Sequence, residues 1–70
     1  MVILLRIEML IRQIREEKNI SLEELSKKAN VSKAHLSYIE RNEKEPSISI
    51  LVKISKALNV EVKDLYKVEW

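Results

Sequence analysis

The chain has 70 residues, enough for one small domain, with no cysteine, no glycine, one proline and one histidine. These counts exclude disulfides, thiolate metal sites and glycine-rich phosphate loops, and they argue against a turn-rich all-β fold. The 13 Lys and Arg nearly balance the 11 Asp and Glu, for a net charge of +2, so composition alone does not indicate nucleic acid. With three aromatic residues and no Phe, the core is expected to consist of Ile, Leu and Val.

The N-terminal run of apolar residues 2–5 resembles the start of a signal sequence, but Arg6 and Glu8 interrupt it early. No run approaches the roughly 20 apolar residues of a membrane span. We therefore expect a soluble, cytoplasmic protein without a membrane partner.

The chain contains four asparagines, Asn19, Asn30, Asn42 and Asn59. After glycine, asparagine best tolerates the left-handed conformation that ends many helices, and each of the four follows a stretch of helical spacing. They divide a single domain, residues 1–70, into five predicted helices. These helices cover about residues 7–18, a segment from Ser21, a segment from Ser32, a segment after Pro46-Ser47, and about residues 61–65 or 61–66.

The first predicted helix has an apolar stripe of Ile7, Leu10, Ile11 and Ile14. The second begins with a predicted capping box, in which Ser21 is the N-cap and Glu24 follows three residues later.

Only Asn30-Val31 separates the second helix from the third, so the two helices must cross at a steep angle. The small residues Ser26 and Ala29 allow them to approach closely. This arrangement, over about residues 21–41, is that of a helix-turn-helix, whose second helix can lie in the major groove of DNA.

The third helix presents a face without acids opposite its apolar side, which contains Leu36 and Ile39. A solvated face usually mixes charges of both signs, so this pattern favours a negatively charged partner. The outer face consists of Lys33, Ala34, Ser37, Tyr38 and Arg41.

Several short motifs occur in a fixed order between about residues 10 and 66. They are residues 11–21, Glu24-Leu25, Val31-Ser32, residues 39–42, Pro46-Ser47 and residues 56–60. Together they closely resemble the Cro/repressor (Xre-type) helix-turn-helix family of phage and bacterial regulators. There are two departures: Leu22 stands where the family often has a phosphate-binding Gln, and Asn stands where it often has Gly.

The resemblance implies an all-α, five-helix, lambda-repressor-like DNA-binding domain that acts as a homodimer on palindromic operators. It implies no cofactor, metal or small-molecule ligand. Carried over by position, the base-reading residues are Lys33, Ala34, Ser37 and Tyr38. The implied phosphate contacts are Ser32, Arg41, Asn42 and Lys44, and the implied structural ion pair is Arg15 with Glu40.

The chain ends allow two structures. Residues 66–70 alternate apolar and charged side chains, which favours a strand, and residues 2–5 suit a partner strand. The competing interpretation is a longer first helix from about Ile3. Tyr66, Val68 and Trp70 are the candidate dimerisation residues, unless the tail folds back over its own core.

The predicted function is therefore a sequence-specific regulator of transcription that binds double-stranded DNA, most simply a repressor. The alternative is an antitoxin-like or adaptor protein whose main partner is another protein. An enzyme is not expected, because His35 is the only histidine and Asp64 the only aspartate, and no catalytic constellation can be assembled.

Overall fold

The computed structural model describes residues 6–69. In chain order it contains β1 (Arg6–Met9), α1 (Ile11–Glu17), α2 (Leu22–Ala29), α3 (Lys33–Glu40), α4 (Ile48–Leu58), a 3-10 helix (Val62–Leu65) and β2 (Tyr66–Glu69). The fold is mostly helical with a small terminal sheet, as the prediction allowed, but the expected five helices are not matched, because residues 6–69 contain four α-helices. The fifth segment forms a single 3-10 turn, since the alternating residues that follow it become a strand and leave no length for an α-helix.

The four asparagines end the helices as predicted. Their φ angles are 56°, 55°, 59° and 58° for Asn19, Asn30, Asn42 and Asn59. These values lie in the left-handed region, which asparagine enters at lower energetic cost than most residues. The helix-stop prediction is confirmed at all four positions.

Serine side chains cap the N-terminal ends of three helices. The hydroxyls of Ser21, Ser32 and Ser47 accept hydrogen bonds from the backbone N–H groups of Glu24, His35 and Ile50, at 3.0, 3.1 and 3.2 Å. Glu24 also accepts from the Ser21 N–H at 3.3 Å, so the predicted capping box is present. Each such cap stabilises its helix by about 1 kcal/mol.

The predicted terminal sheet is present, and among the described residues its first strand is β1. β1 pairs antiparallel with β2, with Ile7 opposite Val68 and Met9 opposite Tyr66. Ile7 is therefore in a strand, and the first helix begins at Ile11 rather than near Ile7. Residues 2–5 and Trp70, which the prediction assigned to this sheet, lie outside the described residues.

The sheet is joined to the helices at the end where β1 leads into α1 and the 3-10 helix leads into β2. The Leu10 N–H donates to the Leu65 carbonyl at 2.7 Å, and Leu65 is fully buried. The core consists of branched aliphatic residues and one alanine, namely Ile11, Leu25, Ala29, Val31, Leu36, Ile39, Leu51, Ile54, Leu58 and Leu65. No helix among residues 6–69 is long and apolar enough to cross a membrane.

Candidate nucleic-acid interface

The turn between α2 and α3 is held by its own polar groups. The Ser26 hydroxyl donates to the Val31 carbonyl at 2.6 Å, and the Val31 N–H donates to the Ser26 carbonyl at 3.2 Å. Ala29 is buried at the crossing, and Leu36 and Ile39 anchor α3 in the core with no exposed surface. Because these residues fix the rotation of α3, its opposite side faces outward.

The outward side of α3 carries the predicted base-reading residues. Lys33, Ala34 and Tyr38 are exposed, and Ser37 is half-buried. At the start of the helix, the Ser32 hydroxyl accepts from the His35 N–H, which leaves its own proton available to donate. The structure thus places Lys33, Ala34, Ser37 and Tyr38 along one face of α3, and Ser32 at the N-terminal end of that helix.

Two cations flank the Tyr38 ring. The Arg41 guanidinium carbon and the Lys44 Nζ each lie 5.2 Å from the ring centroid. Arg41 also donates through Nη1 to the Ser37 hydroxyl at 2.7 Å. A cation is attracted to the face of an exposed aromatic ring, and this attraction biases these flexible side chains toward the outer face of α3.

The ion pair between Glu43 and Arg41 is a contact that the sequence did not predict. The Glu43 carboxylate accepts a hydrogen bond from Arg41 Nε, and this bond is the main reason that the pKa of Arg41 is raised. Both side chains are about half exposed, at 52% and 50%. A phosphate would therefore compete with Glu43 for the Arg41 guanidinium.

Asn42, one of the predicted phosphate contacts, uses its side chain within the protein. Its Oδ1 accepts from the Met9 N–H at 3.2 Å and its Nδ2 donates to the Ile7 carbonyl at 2.9 Å. A phosphate contact by this amide would have to replace one of those bonds. The side chain fastens β1 to the loop that follows α3.

Arg15 and Glu40 form a two-point ion pair between α1 and the last residue of α3. Arg15 Nε lies 2.9 Å from Glu40 Oε2, and Arg15 Nη2 lies 3.1 Å from Oε1. Arg15 Nη1 also donates to the Ile20 carbonyl at 3.0 Å. The hydrogen bond with Glu40 raises the pKa of Arg15 against the opposing effect of burial. Only 12% and 6% of the two side chains is exposed, so the pair fixes the end of α3 that carries Tyr38.

Among residues 6–69, no group of three or more His, Asp or Glu side chains could hold a metal ion. The charged residues that line the open depression beside α1 are four glutamates and one arginine, so its excess of negative charge does not suit DNA. They are Glu8, Arg12, Glu16, Glu17 and Glu40. The outer face of α3 is therefore the candidate interface.

The family model described as Helix-turn-helix matches residues 11–65. The chain belongs to the Cro/repressor (Xre-type) helix-turn-helix family. It is 52% identical over 56 residues to the transcriptional regulator SinR of Bacillus subtilis, an alignment that covers 79% of this chain and 50% of SinR. It is 38% identical over 52 residues to the immunity repressor of Bacillus phage phi105, covering 74% of this chain and 36% of the repressor.

Solved structures of SinR resemble this one. SinR in complex with DNA matches with a TM-score of 0.72 and 52% identity, over 76% of this chain and 86% of that one. The complex of SinR with the protein SinI matches with a TM-score of 0.73 and 51% identity, over 77% of this chain and 53% of that one. The chain spans half or less of the length of its curated relatives.

Proposed function

We propose that the chain is a sequence-specific, double-stranded DNA-binding regulator of transcription, which acts as a repressor in the form of a homodimer on a palindromic operator. The observation that carries this proposal is the outer face of α3, where Lys33 and Tyr38 are exposed on a helix anchored by core residues. Arg41 and Lys44, which follow the helix, flank the Tyr38 ring. Likeness to the DNA-bound SinR structure supports it.

In this proposal α3 enters the major groove. Lys33 donates to guanine O6 or N7, and Ala34 packs on a thymine methyl group. Ser37 and Tyr38 offer hydroxyl groups to base edges further along the helix. Ser32, Arg41 and Lys44 contact phosphates, which fix the position of the helix without reading sequence.

We propose a homodimer because the base-reading surface of one protomer is small. One recognition helix touches only a few base pairs, and a two-fold dimer places two such helices about 34 Å apart, one turn of DNA. Of the candidate dimerisation residues, Val68 is 39% exposed and Tyr66 is half-buried against the core, while Trp70 lies outside the described residues. The phage repressor among the relatives supports repression as the mode of action.

A second candidate function, an adaptor or antitoxin-like protein that binds another protein, is favoured by one observation. SinR is also known in complex with SinI. In that case, an unrelated chain would cover exposed apolar residues of this domain such as Ile48, which is 78% exposed.

Selection of bound sequences from a random pool of duplex DNA tests the proposal. We expect an inverted repeat whose half-sites are centred about one helical turn apart. Recovery of no sequence pattern at moderate salt would contradict sequence-specific binding and would favour the adaptor function. The same selection with Lys33→Ala and with Lys63→Ala, an exposed lysine outside α3, distinguishes the α3 surface from a general effect of positive charge.

A further inference from the structure

The two outer edges of the sheet differ. Asn42 bonds the Ile7 carbonyl and the Met9 N–H, so the backbone groups of these two residues point away from β2. The outer edge of β1 is therefore already occupied by a side-chain amide. Neither Ile7 nor Met9 therefore has both its N–H and its C=O free to pair with a further strand on that edge.

The outer edge of β2 is open. Ile7 lies opposite Val68, and in an antiparallel pair two facing residues point their N–H and C=O groups either both inward or both outward. Because Ile7 points outward to Asn42, Val68 points outward on the other side of the sheet. The sheet has two strands in the described part of the chain, so no strand of residues 6–69 pairs with this edge.

The sequence of β2 is self-complementary about Val68. Lys67 precedes Val68 and Glu69 follows it, and both charged side chains are about half exposed, at 51% and 48%. If two copies of β2 pair antiparallel about Val68, each Lys67 faces the partner's Glu69. A segment that suits its own reversed copy favours a second copy of the same chain over an unrelated strand.

We propose that β2 of one protomer pairs antiparallel with β2 of a second copy, about a two-fold axis at Val68, to form one four-stranded sheet. The inference rests on the homodimer of the proposed function and names its interface. Within each protomer Glu8 already faces Lys67, and Arg6 faces Glu69. One row across the joined sheet then reads Glu8, Lys67, the partner's Glu69 and the partner's Arg6.

Charges alternate in sign along that whole row and along its two-fold copy, so every cross-strand neighbour is attractive. The opposite face of the sheet supplies an apolar row. Ile7 and Val68 are 42% and 39% exposed in one protomer, and pairing places both Val68 side chains together between the two Ile7 side chains. The open edge of β2, the alternating charges and the apolar row all favour the same antiparallel pairing about Val68.

Two charge reversals test the pairing in the full chain without DNA. Lys67→Glu alone and Glu69→Lys alone each place like charges across the two-fold axis twice, and each should weaken self-association about tenfold or more relative to the wild type. An equimolar mixture should form a heterodimer, because each reversed residue then faces an opposite charge across the two-fold axis. Sedimentation equilibrium measures the masses, and circular dichroism checks that each variant remains folded.

A cysteine variant gives an answer that does not depend on charge. Across the two-fold axis the two Val68 Cα atoms would lie about 5.5 Å apart, within the range that a disulfide spans. Since the chain has no cysteine, Val68→Cys should oxidise to a covalent dimer, whereas the exposed control Lys18→Cys should not.

A wild type that stays monomeric at high concentration overturns the interface. So does a dimer in which neither reversal changes association, or one in which Val68→Cys cross-links no faster than Lys18→Cys. Sequence-specific DNA binding that survives such a result retains the DNA-binding part of the proposed function and rejects only the dimer through paired β2 strands. Loss of DNA binding alone would leave this interface in place.

Discussion

The Asn42 Nδ2 group donates to the Ile7 carbonyl across 35 positions of sequence. Together with its bond to the Met9 N–H, it ties the strand β1 to the residue that follows the C-cap of α3. The position of the sheet is therefore coupled to the end of the candidate recognition helix.

Asn42→Gly should lower the free energy of unfolding by about 1–2 kcal/mol, because two hydrogen bonds are lost while the left-handed backbone is retained. Asn59→Gly is the matched control, since Asn59 has the same backbone conformation, and it should be nearly neutral. Chemical denaturation measures both. Hydrogen exchange at the Met9 amide should accelerate only in Asn42→Gly, and unchanged protection there would contradict the role given to Asn42.

Arg15→Met should destabilise the fold by about 3 kcal/mol, because Glu40 is left as a nearly buried charge without its partner. The control is Arg12→Met, which breaks an exposed pair with Glu16 and should change stability by less than about 1 kcal/mol. Replacement of both Arg15 and Glu40 by Met should recover most of the loss. A double variant as unstable as Arg15→Met would show that stranded charge is not the cause.

Glu43→Gln should raise affinity for duplex DNA a few-fold, because it frees Arg41 from an exposed and therefore weak ion pair. Glu45→Gln removes the same charge two residues away and breaks no ion pair found among residues 6–69. Fluorescence anisotropy on one labelled duplex compares the three proteins. Equal gains in both variants would mean that general charge, and not the release of Arg41, is responsible.

Local sequence rules predicted the parts of the fold that depend on neighbouring residues. The left-handed conformation at Asn30 and the cap at Ser21 involve residues within four or five positions, and the sequence displays such signals directly. The extent of the first helix was wrong because Ile7 fits two patterns. It completes a helical stripe with Leu10 and Ile14, and it also alternates with Glu8 and Met9 as a strand does.

The contacts that the sequence did not predict are either distant or ambiguous. No local pattern links Asn42 to Ile7, so its bonds to β1 appear only in three dimensions. The sequence places Glu43 beside the candidate interface, but its spacing does not show which of the nearby cations it binds. The Arg15–Glu40 pair was implied by family resemblance alone, since 25 residues separate the two charges.

Salt should weaken DNA binding steeply, because Lys33, Arg41 and Lys44 displace counterions from the phosphates. The logarithm of the affinity should fall with the logarithm of salt concentration with a slope of about −0.9 for each phosphate neutralised. Titrations at several salt concentrations measure the slope, and Lys44→Ala should make it less negative. Affinity that stays constant from low to moderate salt would exclude an interface built on these cations.

The most direct test of the account compares Lys33→Ala with Lys44→Ala on the selected operator and on single-base variants of it. Lys33→Ala should cost about 1–3 kcal/mol on the best site and relax the preference at one base pair in each half-site. Lys44→Ala should weaken all sequences nearly alike, because a phosphate contact carries no base information. Wild-type sequence preference in both variants, with the fold intact, would contradict the assignment of α3 as the reading helix through Lys33.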